Sequence, residues 1–182
     1  MELNKVVLQI YPDIDLIDTV ILQNDGQGAY IARWDDPRSQ PSEAELQAAW
    51  VEYEAGAVDR AKAKALPKAA QMATDKRFEY ITPNKDATYV QQQKEVDRWT
   101  GAGKPADIDP VDYPYANNRA GVISTTIPAV LTEWEATISQ WRTIDLYIEA
   151  SYTRAIIAID AASNLTDIEA ALTQMGAELG VL

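Results

Sequence analysis

Carboxylates are the side chains through which this chain could do acid–base or metal chemistry. It carries 28 Asp and Glu against 16 Lys and Arg, and it has neither histidine nor cysteine. The missing imidazole removes Ser-His-Asp and Cys-His nucleophilic sites and imidazole–zinc sites, and the missing thiol removes disulfides and thiolate metal sites. Asp13, Asp15 and Asp18 have the alternate spacing of a calcium loop. They lack the glycine and the distal glutamate of an EF-hand, and they follow Pro12. Asp107, Asp109 and Asp112 fail in the same way. Asp35 and Asp36 could share a proton only if their side chains converged, and neighbouring residues point apart in most backbones. Gly26-Gln27-Gly28 lacks the third glycine of a dinucleotide loop and precedes a strand-like run. In Gly101-Ala102-Gly103-Lys104-Pro105 the lysine is followed by proline where a phosphate loop needs Ser or Thr. The expectation is no catalytic residue, no metal, no cofactor and no enzymatic activity.

The aromatic residues are the more unusual feature. Five Trp and nine Tyr stand against one Phe. Trp and Tyr join an apolar body to a polar tip, which suits interfaces. Trp134, Trp141, Tyr147 and Tyr152 recur at helical spacing and read as core. Trp34, Tyr113 and Tyr115 stand beside turns and prolines, where core lid and partner contact are equally open. Simple strand alternation puts Tyr30 and Trp34 on one face as a single patch. Tyr113 and Tyr115 form a second candidate, in a segment that Pro110 and Pro114 would hold extended. The competing reading folds Trp34 back onto Trp50 to close the N-terminal core.

These residues need elements to position them. Leu3, Val6, Val7 and Ile10 predict a short amphipathic helix over 2–11, stopped by Pro12. Thr19–Gln23 and Ala29–Trp34 flank Asn24-Asp25-Gly26-Gln27-Gly28, a hairpin signal. Ser42 and Glu45 form a capping box that opens a helix carrying Leu46, Ala49, Trp50 and Tyr53. Ala57–Met72 is helical, with Pro67 expected to kink or break it. Pro83-Asn84 marks a turn, and Ala87–Trp99 is helix-compatible. Ile127–Ser163 carries long apolar helical rows, as one helix or as two broken near Thr143. Thr166-Asp167-Ile168-Glu169 reads as a second capping box, opening a helix through Glu178. The fold class is α+β and mainly helical. Its parts are a helix-plus-hairpin unit over 1–56, a middle helical segment over 57–103, a Pro-rich acidic linker over 104–115 and a C-terminal helical hairpin over 116–182.

The 182 residues suffice for one ordinary core or two small ones. A formal charge of -12 opposes binding to nucleic acid or to an anionic membrane and favours a partner with a basic face. The N-terminus lacks the pattern of a signal peptide, and no stretch has the length of a membrane span.

The ordered set Tyr11–Trp50, YPDIDLIDTVILQNDGQGAYIARWDDPRSQPSEAELQAAW, resembles the XkdW-like family of phage tail proteins. That family's pattern is an N-terminal helix, an aromatic-Pro turn, an NDG-type hairpin ending in Trp, and a Pro-Ser-Glu helix start. The later motifs NKDATYVQQQKEVDRW, DYPYANNRAG and SNLTDIEAA resemble the C-terminal region of tail-fibre-assembly-type proteins, although Tyr115-Ala116-Asn117-Asn118 departs from their apolar run. The resemblance implies a tail-module protein with no catalytic residues to carry over. It would sit on the virion tail, or in the host cytoplasm during assembly, and bind a tail fibre or baseplate protein. Structural adaptor and fibre-assembly chaperone are the two roles it leaves open; a small carboxylate enzyme is the alternative outside them. Self-association through the C-terminal helices is a further expectation.

Overall fold

The computed structural model describes residues 1–81 and 85–182, so the turn expected at Pro83-Asn84 lies outside the described residues. Among these residues are seven helices and one antiparallel hairpin, the mainly helical α+β class expected. They are α1 (Leu3–Ile10), β1 (Val20–Asn24), β2 (Ala29–Trp34), α2 (Glu43–Ala55), α3 (Ala57–Phe78), α4 (Asp86–Gly101), a single 3-10 turn (Pro110–Asp112), α5 (Pro114–Ile123), α6 (Ile127–Ala161) and α7 (Leu165–Gly180). The chain forms two compact units, one of residues 1–64 with 162–165, the other of 65–161 with 166–182.

The first unit is built on α1. Leu3, Val6 and Val7 fall on one helical face and are buried. They pack with Ile14, Val20, Leu46 and Ala49, drawing the hairpin and α2 onto one core. Each fully buried aliphatic side chain contributes about 1.5–3 kcal/mol. The hairpin turn uses the expected residues: Gly26 and Gly28 have φ of 96° and 121°, and the Asn24 side chain accepts from the Gly26 amide. α2 begins with the predicted capping box, in which Ser42 accepts from the Glu45 amide and the Glu45 carboxylate accepts from Ser42.

One detail of the hairpin escapes the alternation rule. Ile21 pairs with Arg33 but Leu22 pairs with Ile31, so Ala32 is an extra residue in β2. Such a bulge switches which side chains face the core. Ile31 and Trp34 therefore both pack on the core side with Leu22. Tyr30, paired with Gln23, is exposed on the other side.

The second unit has a core of Val96 and Trp99 from α4, Tyr113, Ala116 and Ala120 from the start and body of α5, and Val130, Leu131 and Trp134 from α6. Ala65, Ala69 and Ala73 of α3 are buried at a four-residue spacing, small enough for a close approach. Contact between α3 and α7 is close at Gly176, where an added Cβ would meet Met72 Cε at 3.5 Å. α6 is one unbroken helix of 35 residues, roughly 52 Å long. The Thr143 hydroxyl donates to the Ser139 carbonyl one turn back, so the residue that suggested a break bonds within the helix.

Three other expectations need correction. α3 runs through Pro67 to Phe78; the missing N–H costs one ladder bond, and the buried alanine stripe on either side keeps the helix going. α7 begins at Leu165, which puts Thr166 inside its first turn and not at the N-cap. The segment 104–115, read as a linker, belongs within the second unit: Ile108 packs on its core and Tyr113 is buried there. The Trp99 indole donates to the Pro105 carbonyl at 3.0 Å, and Arg98 bonds the Asp112 carbonyl, so these backbone groups are tied down on α4.

Candidate interaction surface

The four aromatic candidates occupy four different situations. Trp34 is half-buried, and its indole donates to the Arg38 carbonyl at 2.8 Å. Its ring lies 5.8 Å from Tyr11, tilted by 55°. Arg38 closes over both: its guanidinium stands 4.5 Å above the Tyr11 ring, grips both Asp36 oxygens at 2.7 and 2.8 Å, and reaches Asp13 at 2.7 Å. The Tyr11 hydroxyl donates to the Ser39 carbonyl. Residues 35–39 thus fold back as a clasp over Trp34. Sequence reasoning named the alternative of a closed core but chose Trp50 as the neighbour; Trp50 instead stacks on Tyr53 at 5.7 Å.

Tyr30 is exposed, and its hydroxyl meets the Gln23 side chain across the hairpin. The bulge at Ala32 separates it from Trp34, so the two do not form one patch.

Tyr113 is buried at 4% exposure. Proline does not hold this segment extended: Pro110 opens the 3-10 turn and Pro114 occupies the first turn of α5, where a missing N–H is harmless. Tyr115 follows on the helix and stays exposed. Val122, also exposed, lies seven residues further along α5 and so shares its helical face in one row. Ile123 extends this row at the helix end.

The anchor under that row is a residue that sequence reasoning missed. Glu95, on α4, is 5% exposed. Its two carboxylate oxygens accept from the Tyr115 and Ala116 amides, each at 2.9 Å. A buried carboxylate is tolerated here because it meets the N-terminal amides of a helix, whose dipole favours negative charge. No sequence motif announces this, since donor and acceptor lie about twenty residues apart.

Most of the carboxylates suspected of chemistry have structural partners. Asp15 accepts from the Ile17 and Asp18 amides, and these bonds lower its pKa. Asp13 and Asp36 bind Arg38, and Asp35 pairs with Arg33. The Arg38 side chain, with its backbone amide, holds the Asp36 carboxyl at about 2. Asp109 caps the 3-10 turn through the Val111 amide. Among the described residues, no group of three or more Asp or Glu side chains converges to hold a metal ion. A groove of about 540 Å³ between α4 and α6 is floored by Val96, Ala136 and Ile138. Its rim carboxylates are also engaged, Asp97 by Gln93 and Glu135 by Lys104. No helix among the described residues is long and apolar enough to cross a membrane.

No curated protein and no solved structure matches the chain. The expected kinship of its C-terminal part with tail-fibre-assembly-type proteins draws no support from the comparisons. A family model does match the helix-plus-hairpin unit described above: residues 3–57 fit the family described as XkdW protein, which supports a phage-associated, XkdW-like N-terminal part.

Proposed function

We propose that this chain is a non-enzymatic adaptor of a bacteriophage tail, binding a fibre or baseplate protein. The match over residues 3–57 carries the reading. Three features of the molecule favour binding over catalysis. The chain has no histidine or cysteine. Most of the carboxylates that could have formed an acid–base or metal site, Asp13, Asp15, Asp35, Asp36, Asp109 and Asp112, are held in turns, caps and ion pairs. The second unit offers solvent Tyr115 and Val122 on one face of a helix whose start is fixed by a buried carboxylate. Preorganised aromatic anchors give affinity at little entropic cost.

Tyr115 is the anchor of the proposed surface, with Tyr30 as a separate contact on the first unit. Co-expression of the full chain with the neighbouring fibre or baseplate proteins, followed by size-exclusion chromatography, tests this. A stable complex is expected, and Tyr115→Ala should weaken it by about 2 kcal/mol while leaving the melting temperature nearly unchanged. Detection of the chain in purified virions at fixed stoichiometry separates adaptor from assembly chaperone. Complexes unaffected by Tyr115→Ala and Tyr30→Ala would remove both surfaces from the proposal.

A further inference from the structure

The hairpin turn holds the only Asp-Gly pair in the sequence, Asp25-Gly26, and no Asn in the sequence precedes glycine. The pair matters because glycine has no Cβ to shield its nitrogen from a neighbouring carbonyl carbon. Every residue from Gln23 to Tyr30 is exposed, so water reaches the turn. A Cβ added to Gly26 would meet nothing within 4 Å, so the space on that side is open. Asp13, Asp35 and Asp36 are gripped by arginines, whereas no such ion pair holds Asp25 among the described residues.

The hydrogen bonds of the turn bring the two reacting groups together. Asp25 Oδ1 accepts from the Gln27 amide at 3.3 Å. That bond spans the residue between, so the side chain curls back along the turn past the Gly26 peptide instead of extending into water. Its carboxyl carbon is thereby held beside the Gly26 nitrogen. The Gly26 N–H donates to Asn24 Oδ1 at 3.0 Å. This bond runs along the N–H, in the peptide plane, while attack on carbon uses a face of that plane. Asn24 thus orients the nitrogen without covering it.

We propose that Asp25-Gly26 is a self-modification site, at which the chain forms a succinimide and then isoaspartate. The Gly26 nitrogen bonds to the Asp25 carboxyl carbon and a carboxyl C–O bond breaks. The released hydroxyl leaves with the amide proton as one water. Water then cuts the five-membered imide at the former backbone carbonyl, its hydroxyl going to that carbon and its proton to the nitrogen. The main chain now runs through Cβ and is one atom longer, and nothing has been oxidised or reduced. The added atom falls inside the turn closed by the Asn24–Ala29 pair, whose length sets the hairpin register.

The test keeps the full chain folded for weeks at physiological temperature and near-neutral pH, beside the same chain in urea. Peptide mapping should find the segment around Asp25 first lighter by one water, then at its original mass with a shifted retention. An aspartate-specific endoprotease should lose its cut before residue 25 in the same fraction of molecules. The folded chain should react at a rate within roughly tenfold of the unfolded one. Asp25→Glu, which would have to close a six-membered ring, should abolish both signals. A folded chain that keeps Asp25 intact overturns the inference, because the turn then protects the pair. So does a signal that persists in Asp25→Glu, or a heavier product with Asp25 intact, which would mark deamidation of Asn24 instead.

Discussion

Two aromatic side chains four residues apart on one strand differ in how firmly the first unit holds them. Trp34 has a ring partner, an indole hydrogen bond and an arginine clasp. Trp34→Ala should therefore cost the first unit about 2–3 kcal/mol in denaturant unfolding, somewhat under the value for a fully buried tryptophan. Tyr30→Ala should stay within about 0.5 kcal/mol, as for an exposed site with one surface hydrogen bond. The clasp also titrates. Arg38, by its side chain first and its amide second, lowers the Asp36 carboxyl from an ordinary 3.8 to about 2. A carboxyl with a depressed folded pKa gives stability that is fully present above its unfolded pKa and lost as pH falls through the folded one. The melting temperature of the first unit should accordingly fall between pH 4 and 2, and Asp36→Asn should flatten that part of the profile. An unchanged slope in the variant would show that the acid sensitivity lies elsewhere. Sequence reasoning selected Trp34 as an interface residue because it stands at a strand end beside acidic residues. What it could not see was that Arg38 turns the chain back over it, a contact set by the geometry of the loop.

Among the elements, those signalled by local chemistry were legible and those held by distant partners were not. The hairpin limits followed from Asn24-Asp25-Gly26, and α2 from the Ser42–Glu45 box, because each signal lies within a few residues of the structure it makes. The Ala32 bulge has no local signature. It follows from which side of the strand Trp34 must bury. α5 was not singled out: its first residues were placed in an extended Pro-rich segment and the rest in the C-terminal helical hairpin. Its start depends on Glu95 from another helix, so Glu95→Ala, which leaves two amides without acceptors, should lower the stability of the second unit by about 2–3 kcal/mol. The loss should be read by unfolding followed through Trp99 and Trp134 fluorescence. A cost within 0.5 kcal/mol would mean that water replaces the carboxylate freely.

For the whole molecule, composition fixed the class while packing drew the boundaries. The acidic, histidine-free chain pointed away from catalysis, and its apolar periodicity pointed to helices. The placement of the unit boundary did not follow from proline content. Breakers over 104–115 suggested a linker, but Ile108 and Tyr113 are packed into the second core and the boundary falls within α3 instead. Limited proteolysis tests this: cleavage within 105–113 should be slow at native temperature and accelerate only as the second unit melts. Rapid early cutting there would restore the linker reading. α6 was legible as helix from its rows of apolar residues, while its continuity through Thr143 over about ten turns was left open by the sequence.

Ala32 has a consequence for how this strand can vary in evolution. Because it is a supernumerary residue, the strand's facing is set by counting as well as by side-chain type. Without its single codon, and with the turn holding its register, Ile31 and Arg33 would be neighbours opposite Leu22 and Ile21, and Trp34 would still lie opposite Val20. Regular alternation then keeps Ile31 and Trp34 inside and Arg33 outside. An in-frame deletion of Ala32 should therefore leave the first unit folded, whereas deletion of Ile21 would turn Val20 and Leu22 to opposite faces, and soluble yield and thermal melting of the two variants would rank them. The strand should tolerate a change in length at this one position and not across from it.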